Sequence, residues 1–463
     1  MHFFATACAV LVPLLQVPGG EHGKPDVPAF TLAELKERTF DFFWDCAHPD
    51  TGQIPDRFPS KPFSSIAATG FGLSAYLVGI ENGHVERTAA ASRVLMTLDA
   101  LWSYPQGDAT TGVAGYRGFY YHFLTMGEGD RFKKVELSTI DTALLMTGVL
   151  AVGSYFDQDD LTECHIRTRA RELYERVEWD WAMQADGLMS MGWLPEKGFI
   201  PARWEGYSEA MVLLILAMGS PTHPISDESW ACWCKNYRWL DFYEPHLNFE
   251  SLFGHQYSHM FIDFRGIQDE FMRERSSDYF ENSRIATLAN RDHAIRNPGG
   301  FVGYGEWQWG LTASDGPPYG TSTRLAGKKV EFKGYAARGA SGLRIVDDGT
   351  LSPSAVAGSL PFLPELCEST LEHLWVEHHE SLVGQYGFKD AFNLTVPGGW
   401  FDPEYLGIDQ GLILLMAENR DSELLWSVMK RSDPIVHGLL RAGFSGGWLE
   451  PDTAPSPGSQ AAR

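Results

Sequence analysis

The sequence predicts an all-α protein, and three observations support that prediction. Segments with the helical spacing of apolar residues recur along the chain, about twelve in number. Strand-like alternation of apolar and polar residues is sparse. No Ser- or Pro-rich break interrupts residues 30–447 of the 463-residue chain. A single core shared by helical hairpins, roughly six of them, would accommodate so long a chain without a linker.

A capping box marks the first helix. Thr31 is followed in the next turn by Glu34, and Leu35, Phe40 and Phe43 then supply an apolar face. Gly- and Pro-rich stretches are predicted loops, at 49–62, 220–226 and 299–320. Short alternating patches predict minor β-hairpins within loops, at 118–123, 131–135 and 342–346. Helical periodicity predicts the remaining helices over 65–81, 86–103, 136–154, 160–178, 206–218, 247–262, 276–295, 361–378, 407–419, 422–431 and 434–442.

Both ends of the chain are expected to lie outside the folded domain, which we place at 28–447. Residues 3–17 form an apolar run too short to span a bilayer, as is typical of the h-region of a signal peptide. No Lys or Arg precedes the run, and no clear A-x-A cleavage site follows it. We expect a signal peptide over 1–20, and therefore a periplasmic or secreted protein without a membrane span. The tail 451–463, rich in Pro, Ser and Gly, is predicted to be disordered.

Charge and composition disfavour several classes of partner. A formal net charge of −23 and a pI near 5.0 argue against nucleic acid and anionic membrane surfaces. The chain has 15 tryptophans, and flat aromatic rings suit sugar faces as well as cores. The six cysteines show no CxxC pair, so no disulfide framework is expected. P-loop, dinucleotide-binding and GxSxG motifs do not occur, so no cofactor is expected.

Two acidic residues on apolar, glycine-flanked segments are the main candidates for chemistry. Glu209 precedes the apolar run 210–218, and Asp409 lies between Gly407 and Gly411. A carboxylate beside a long apolar face is costly to bury unless it is paired, protonated or catalytic. The sequence therefore predicts a pair of acids facing each other across a sugar-binding cleft.

The protonation state of Glu209 depends on two opposing effects. The helix dipole at the start of 206–218 favours the ionised form. Apolar neighbours, with Trp204 and Tyr207 close in sequence, favour the protonated form that a general acid requires. The sequence alone does not decide between them.

Asp409 and Asp141 each have a structural and a functional interpretation. Asp409 is either a catalytic carboxylate or the charge at a helix N-terminus, and Gln410 beside it offers a partner for a sugar hydroxyl. Asp141 shares a helix face with Ser138, three residues earlier. Asp141 is thus either a loop-capping residue or a hydroxyl-binding or catalytic carboxylate.

A pair of histidines has the spacing of a zinc motif but lacks its glutamate. His255 and His259 stand at i and i+4, with Gln256 in the place of the catalytic glutamate of HExxH. No third ligand is evident. We therefore expect no metal, and interpret His255 and Gln256 as hydrogen-bonding residues of the substrate site or the core.

Nine motifs follow one another along nearly the whole chain: SIAATGFG (65–72), GFYYHF (118–123), ELSTID (136–141), YSEA (207–210), GSPTHP (219–224), FGHQYSH (253–259), GLTASDG (310–316), YGFKDAF (386–392) and GIDQG (407–411). In this order they resemble the bacterial glucoamylase-like family, including endo-β-1,2-glucanases of glycoside hydrolase family 144. The resemblance implies an (α/α)6 toroid and a glycoside hydrolase. By motif it assigns Glu209 as general acid, Asp409 as the base-side carboxylate, and Asp141 and His122 to subsites around the cleaved bond. Asp141 and Asp409 compete for the base role.

The expected activity is hydrolysis of a β-glucan, β-1,2-linked foremost, with inversion of the anomeric carbon. An inverting pair of carboxyl groups stands about 6.5–9.5 Å apart, leaving room for a water molecule. The alternatives are a transglycosylase and a non-catalytic glucan-binding homologue on the same fold. We expect a monomer without cofactor or metal. Expected substrate contacts are His122, Trp204, Tyr207, His255, Gln256, Trp307, Trp309, Trp400 and Gln410.

Overall fold

Helices make up most of the regular structure in residues 27–450, the part of the chain that the computed structural model describes. The predicted signal peptide (1–20) and predicted disordered tail (451–463) lie outside this range. A mainly helical protein with small β-hairpins is thereby confirmed. Among the described helices, none is both long and apolar enough to cross a membrane.

The helices are α1 (Leu32–Cys46), α2 (Ile66–Glu81), α3 (Arg87–Ser103), α4 (Thr139–Tyr155), α5 (Leu161–Glu175), α6 (Ala210–Gly219), α7 (Glu228–Cys234), α8 (Phe253–Gln256), α9 (Glu270–Arg273), α10 (Tyr279–Arg296), α11 (Pro353–Ala357), α12 (Pro364–Glu377), α13 (His379–Leu382), α14 (Gly407–Asp421), α15 (Leu424–Met429) and α16 (Asp433–Arg441). Short 3₁₀ helices occupy Trp179–Ala182, Tyr257–Met260 and Gly447–Leu449.

The strands are two to four residues long and pair antiparallel as β1–β21, β2–β5, β3–β4, β6–β7–β8, β9–β10, β11–β14, β12–β13, β15–β16, β17–β18 and β19–β20. They are β1 (Arg57–Phe58), β2 (Ser64–Ser65), β3 (Gly115–Tyr116), β4 (Phe119–Tyr120), β5 (Phe123–Leu124), β6 (Leu137–Ser138), β7 (Gly192–Leu194), β8 (Gly198–Phe199), β9 (Trp239–Phe242), β10 (Glu244–Leu247), β11 (Ala313–Ser314), β12 (Ser322–Leu325), β13 (Lys328–Glu331), β14 (Ala336–Ala337), β15 (Gly339–Ala340), β16 (Ile345–Val346), β17 (Val383–Gly384), β18 (Gly387–Phe388), β19 (Phe392–Asn393), β20 (Trp400–Phe401) and β21 (Tyr405–Leu406).

One set of helices is buried on nearly all sides. The helices α2, α4, α6 and α14 are apolar around most of their circumference, which is the pattern of a helix with no solvent-facing side. Helix α2 packs against both α4 and α14, and α4 packs against α6. The 3₁₀ helix Tyr257–Met260 contacts α6 and α14, and α11 also packs on α14. Gln256 links α8 to α11 by donating to the Ala355 carbonyl at 2.8 Å.

A second set of helices covers the first and exposes one side to solvent. Helix α1 packs on α2 and α14, α3 on α2 and α5, α5 on α4, and α16 on α6. Thr31 caps α1 by accepting from the Glu34 backbone N–H at 3.1 Å, which confirms the N-cap half of the predicted capping box. The Glu34 carboxylate accepts from the Arg38 guanidinium at 2.5 Å instead of completing the box.

Glycine allows α2 and α4 to approach at their crossing point. A Cβ atom on Gly148 of α4 would lie 2.0 Å from the carbonyl oxygen of Gly70 on α2. A Cβ on Gly70 would in turn meet the Leu144 carbonyl oxygen at 2.5 Å. Any larger residue at either position would push the two helices apart, and with them the residues at their N-terminal ends.

A buried ion pair anchors the long segment between α10 and α11. The Arg338 guanidinium donates to Asp348 Oδ1 at 2.7 Å, and both side chains are almost fully buried. Arg338 also donates to the carbonyl oxygens of Ser314 and Gly334, at 3.0 and 2.8 Å. These bonds fix the backbone on either side of Asp315.

The prediction of one helix over 247–262 is wrong. Strand β10 ends at Leu247, and the chain then forms α8 and the separate 3₁₀ helix. Tertiary hydrogen bonds replace the helical pattern, because Leu252 N donates to the Leu311 carbonyl and Phe253 N donates to Thr312 Oγ1. The short helices α7, α9, α11 and α13 were not predicted.

Candidate active site

The candidate catalytic acids lie at the N-terminal ends of buried helices. Glu209 occupies the N-cap position of α6. Asp141 and Asp409 lie in the first turns of α4 and α14. Because these helices pack side by side around the same core, their N-terminal ends bring the acids to one region of the molecule, where the helix dipoles contribute positive potential.

Glu209 faces a cavity of about 390 Å³. Trp204 and Tyr207 line the same cavity. The Ser258 hydroxyl donates to the Glu209 carbonyl at 3.2 Å and so fixes the backbone. Glu209 is partly exposed, yet its Oε2 is buried and has no hydrogen-bond partner in the described residues. These features leave one end of the carboxyl group for the cleft and one in an apolar environment.

The surroundings of Glu209 favour a protonated carboxyl. Burial is the main cause that raises the pKa of Glu209 to about 7, and the negative charge of Asp141 adds to it. A hydrogen bond from the backbone of Glu209 opposes this rise in pKa. Burial therefore outweighs the backbone hydrogen bond, and Glu209 holds a proton at slightly acidic pH.

Asp141 belongs to a polar cluster with a histidine. Its Oδ2 accepts from the Ser138 hydroxyl at 2.5 Å and lies 3.5 Å from His122 Nε2. The other ring nitrogen, His122 Nδ1, lies 2.9 Å from Glu136 Oε1. Burial lowers the pKa of His122, but the charges of Asp141 and Glu136 outweigh it and raise that pKa to about 9. His122 is therefore a cation at neutral pH, held between two carboxylates.

We expect Glu136→Gln to lower the pKa of His122 toward its ordinary value. The substitution removes one of the two carboxylates that stabilise the imidazolium, while Asp141 remains. The imidazole Cε1–H resonance, followed by NMR between pH 5 and 10, reports this pKa directly. Lys133→Gln, an exposed change nearby on the same loop, is the matched control. An unchanged His122 titration in the Glu136 variant would show that Glu136 does not stabilise the cation.

Tyr257 lies close enough to all three predicted acids for their charges to act on its phenol. Burial and the charges of Asp409, Glu209 and Asp141 all raise the pKa of its phenol well above the ordinary value. The ring packs edge-on against Phe253 and Phe71, with centroids 5.4 and 6.0 Å away. Tyr257 belongs to the FGHQYSH motif but was not predicted as a site residue, since a tyrosine in a helix can equally pack in the core.

Asp409 is more deeply buried than Glu209. Its Oδ1 accepts from the Ser354 hydroxyl at 2.8 Å, and only 2% of the residue is exposed. Burial raises the pKa of Asp409, while hydrogen bonds from Asp390 and Ser354 oppose the shift. The charges of Asp315 and Asp56 raise it further.

Asp409 adjoins a cluster of further aspartates with one arginine. The Arg57 guanidinium donates to Asp315 Oδ2 at 2.6 Å and to Asp56 Oδ2 at 3.0 Å. The Asp315 backbone N–H donates to Asp390 Oδ2 at 2.6 Å. Oxygens of Asp315, Asp390 and Asp402 all lie within 4.8 Å of one another. So many acceptors suit the hydroxyl groups of a neutral sugar, and the sequence did not predict them as site residues.

Some predicted substrate contacts are wrong because their side chains are buried in the core. Trp309 is fully buried, and its indole N–H donates to Thr370 Oγ1 at 3.2 Å, so it offers no face for stacking. Gln256 is fully buried and ties α8 to α11. Gln410 is also fully buried and donates to the Phe388 carbonyl at 2.9 Å.

The two histidines of the zinc-like motif are separate core residues. His255 Nε2 lies 3.3 Å from the Phe249 carbonyl, and His259 Nε2 lies 3.0 Å from Ser283 Oγ. Burial lowers the pKa of each to about 3, so both are neutral. His255 lies beneath Tyr207, with ring centroids 5.0 Å apart, and supports the cleft from behind rather than contacting substrate.

The remaining predicted aromatic contacts differ in position and exposure. Trp204 and Tyr207 line the Glu209 cavity, and the Trp204 indole N–H is fixed by Thr139 Oγ1 at 2.9 Å. Trp307 is 38% exposed, beside the Arg291 guanidinium, and Trp400 is partly exposed on β20. Stacking of sugar on Trp307 and Trp400 stays a prediction.

A slightly larger cavity, about 440 Å³, lies away from the candidate acids. It is lined by Leu150 and Gly219, near the C-terminal ends of α4 and α6, and by Arg171 and Arg431. The acids lie at the opposite ends of the same helices. Size alone therefore does not identify the site, and we place it at the smaller cavity beside Glu209.

Comparison with known proteins relates the chain to carbohydrate-active relatives. A curated relative, an exo β-1,2-glucooligosaccharide sophorohydrolase (non-reducing end) from Parabacteroides distasonis, is 28% identical over 446 residues. The alignment covers 89% of this chain but 57% of that protein, so the chain spans little more than half of the relative's length.

Two solved structures match almost end to end. An endo-β-1,2-glucanase from Chitinophaga pinensis, in complex with sophorotriose and glucose, has a TM-score of 0.79 and 28% identity, covering 91% of this chain and 100% of that one. A protein from Bacteroides uniformis described as a "putative glucoamylase" has a TM-score of 0.79 and 32% identity, covering 90% and 98%.

The family model Glycoamylase, described as "Putative glucoamylase", matches residues 201–433. This span includes Glu209, Tyr257, Asp390 and Asp409, and the family expected from the sequence motifs is confirmed. The chain belongs to the glucoamylase-like family.

Proposed function

We propose that the protein hydrolyses β-1,2-linked glucan by an inverting general acid/base mechanism. The observation that carries the proposal is that two acids with different surroundings both act on Tyr257: Glu209 is partly exposed and faces a cavity, whereas Asp409 is buried and accepts from Ser354. Burial favours the protonated form of Glu209, whereas hydrogen bonds from Asp390 and Ser354 favour the ionised form of Asp409, and such a contrast suits one acid and one base. Two relatives named for action on β-1,2-glucans support the substrate class.

The proposed architecture is an (α/α)6 toroid over a catalytic domain at 28–447. The buried helices α2, α4, α6, α8 with its 3₁₀ extension, α11 and α14 would form the inner ring. Their packing supports a closed ring, because α2 contacts both α4 and α14, and Gln256 and α11 complete the far side. The covering helices would form the outer ring.

In the first step, Glu209 donates its proton to the glycosidic oxygen of the leaving sugar. A general acid must be protonated before reaction and must accept the negative charge as the bond breaks. The apolar environment of Oε2 supplies the first property. The dipole of α6, at whose N-cap Glu209 lies, stabilises the resulting carboxylate.

On the opposite face, Asp409 takes a proton from the attacking water. We prefer Asp409 to Asp141 as the base because the two acids interact with different groups. Asp141 lies 3.5 Å from His122 Nε2 and its charge acts on Glu209, whereas the main charges that act on Asp409 come from Asp315 and Asp56. An inverting base lies across the sugar ring from the acid, so the aspartate that does not act on Glu209 is the better candidate.

Time-resolved proton NMR of the first products tests the proposal. With linear β-1,2-glucan, we expect new reducing ends to appear first as the α-anomer and then to mutarotate. First appearance of the β-anomer, with longer chains formed from short ones, would favour the transglycosylase alternative. Binding without new reducing ends would favour a non-catalytic glucan-binding protein. Parallel β-1,3-, β-1,4- and α-1,4-glucans test the linkage, and the product lengths separate exo from endo action.

Export to the periplasm or medium and a monomeric state stay predictions. The proposed substrate is a neutral polysaccharide, which agrees with the net charge of −23 and requires no cofactor in the steps above.

A further inference from the structure

Two buried carboxyl oxygens near the proposed base lack ordinary hydrogen-bond partners. They are Asp390 Oδ1 and Asp409 Oδ2, neither of which has a partner among residues 27–450 apart from the other acid. Each residue is 2% exposed. An isolated buried acceptor is costly, and a charged one is more so, so the absence of a donor at two adjacent acids requires an explanation.

The other oxygen of each carboxyl group is already satisfied. Asp390 Oδ2 accepts from the Asp315 backbone N–H at 2.6 Å. Asp409 Oδ1 accepts from the Ser354 hydroxyl at 2.8 Å. The Ser352 hydroxyl donates to the Asp390 carbonyl at 2.6 Å and lies 2.9 Å from the Ser354 hydroxyl that binds Asp409, so this pair of serines joins the two aspartates. The two carboxyl groups also interact with each other. A single proton shared by the two unsatisfied oxygens would satisfy both atoms.

The surroundings indicate which residue carries that proton. Asp390 is faced by Asp402, Asp315 and Asp409, all of them acidic. Asp409 has the Ser354 donor and lies in the first turn of the fifteen-residue helix α14, where the dipole favours negative charge. The nearby cation, Arg57, binds Asp315 and Asp56 rather than Asp390. Negative charge is therefore more favourable on Asp409 than on Asp390.

We propose that Asp390 is a neutral, protonated positioning residue that donates a hydrogen bond to Asp409 and so holds the base ionised and oriented toward the attacking water. This inference rests on the proposed role of Asp409. Asp390 then acts without touching the substrate. Its hydrogen bond stabilises the carboxylate form of Asp409, which burial would otherwise protonate. Tyr257 and Tyr335, the other titratable groups on this side, are neutral at the relevant pH.

The acid limb of the pH profile of kcat/KM tests the proposal, because Asp409 must be ionised to act. In Asp390→Asn the amide keeps both interactions, accepting from Asp315 N and donating to Asp409. We expect its acid limb to stay near the wild-type position. Asp390→Ala removes the donor, so the acid limb should move to higher pH by about one unit, which is about tenfold in activity below it.

The sign of the shift separates the proposal from its rival. If Asp390 were ionised in the resting enzyme, removing its charge would lower the pKa of Asp409. The acid limb would then move to lower pH in both variants. That outcome would overturn the proposal, as would an acid limb that does not move in Asp390→Ala. An Asp390→Asn variant as inactive as Asp409→Asn would also overturn it. Melting curves show whether each variant is folded.

A spectroscopic measurement is independent of turnover. Infrared difference spectra at neutral pH should contain a protonated-carboxyl band from Asp390 that Asp390→Asn removes and Ser354→Ala keeps. If the wild type does not cleave β-1,2-glucan, the proposed function fails while this band still decides the protonation of Asp390. An unchanged band in Asp390→Asn would overturn the proposal of a shared proton. A calcium-dependent rise in the melting temperature that this variant abolishes would also overturn it.

Discussion

Glu209→Gln is expected to lower kcat on β-1,2-glucan by about 10²- to 10⁴-fold, the usual contribution of a general acid. The amide is close to the carboxyl group in size, but it has no acidic proton to give to the leaving oxygen. The cavity walls formed by Trp204 and Tyr207 are unaffected, so substrate binding should persist. Steady-state kinetics and calorimetric binding to the inactive variant provide the two measurements.

The leaving group distinguishes loss of the acid from a general loss of structure. A sophoroside with a nitrophenol leaving group needs little protonation, so Glu209→Gln should retain far more activity on it than on glucan. Glu228→Gln, on the exposed start of α7, is the matched control and should behave as wild type on both. Equal losses on the two substrates would remove Glu209 from the acid role.

The pH profile gives a second test of the same assignment. With a pKa of about 7, Glu209 should be protonated below that pH and lose its proton above it. The kcat/KM of the wild type on glucan should therefore fall as pH rises through about 7. On the nitrophenyl substrate, the profile of Glu209→Gln should lack this basic limb. A basic limb that survives in the variant belongs to another group.

Sequence patterns predicted the long helices well because each carries its own local signals. Helix α1 has its capping box, and α2 and α4 begin at Ser65 and Ser138, whose hydroxyls accept from the backbone three residues later. Helix α11 carries a similar signal, Ser352 followed by Pro353 at the first helical position. It was missed because the helix spans little more than one turn in a glycine- and serine-rich stretch.

The site was predicted in part, for a physical reason. Glu209 is conspicuous because it directly precedes the apolar run 210–218, and in the structure it lines a cavity. Asp315 lies in a predicted loop and Asp390 lies between two predicted helices, where aspartate is common, and only the packed fold brings them to Asp409. Gln256 and Gln410 illustrate the converse error, since a polar residue beside a candidate acid can instead join two helices in the core.

Asp409→Asn is the variant with the second large expected effect. Without a base, the attacking water remains a weak nucleophile, and we expect kcat to fall by about 10²- to 10⁴-fold. The loss should be as large on the nitrophenyl sophoroside as on glucan, because a better leaving group does not replace water activation. This pattern is the opposite of that expected for Glu209→Gln, so the two substrates assign acid and base from the same set of measurements.

Asp141→Asn is the comparison that decides between the two candidate bases. Asp141 lies 3.5 Å from His122 Nε2, and its charge raises the pKa of Glu209. Its removal should therefore move the basic limb of kcat/KM to lower pH and leave measurable activity below that limb. If Asp141→Asn instead abolishes turnover of both substrates while Asp409→Asn stays active, Asp141 is the base. In that case the water attacks from the His122 side, and the aspartates around Asp409 serve only to bind sugar hydroxyls.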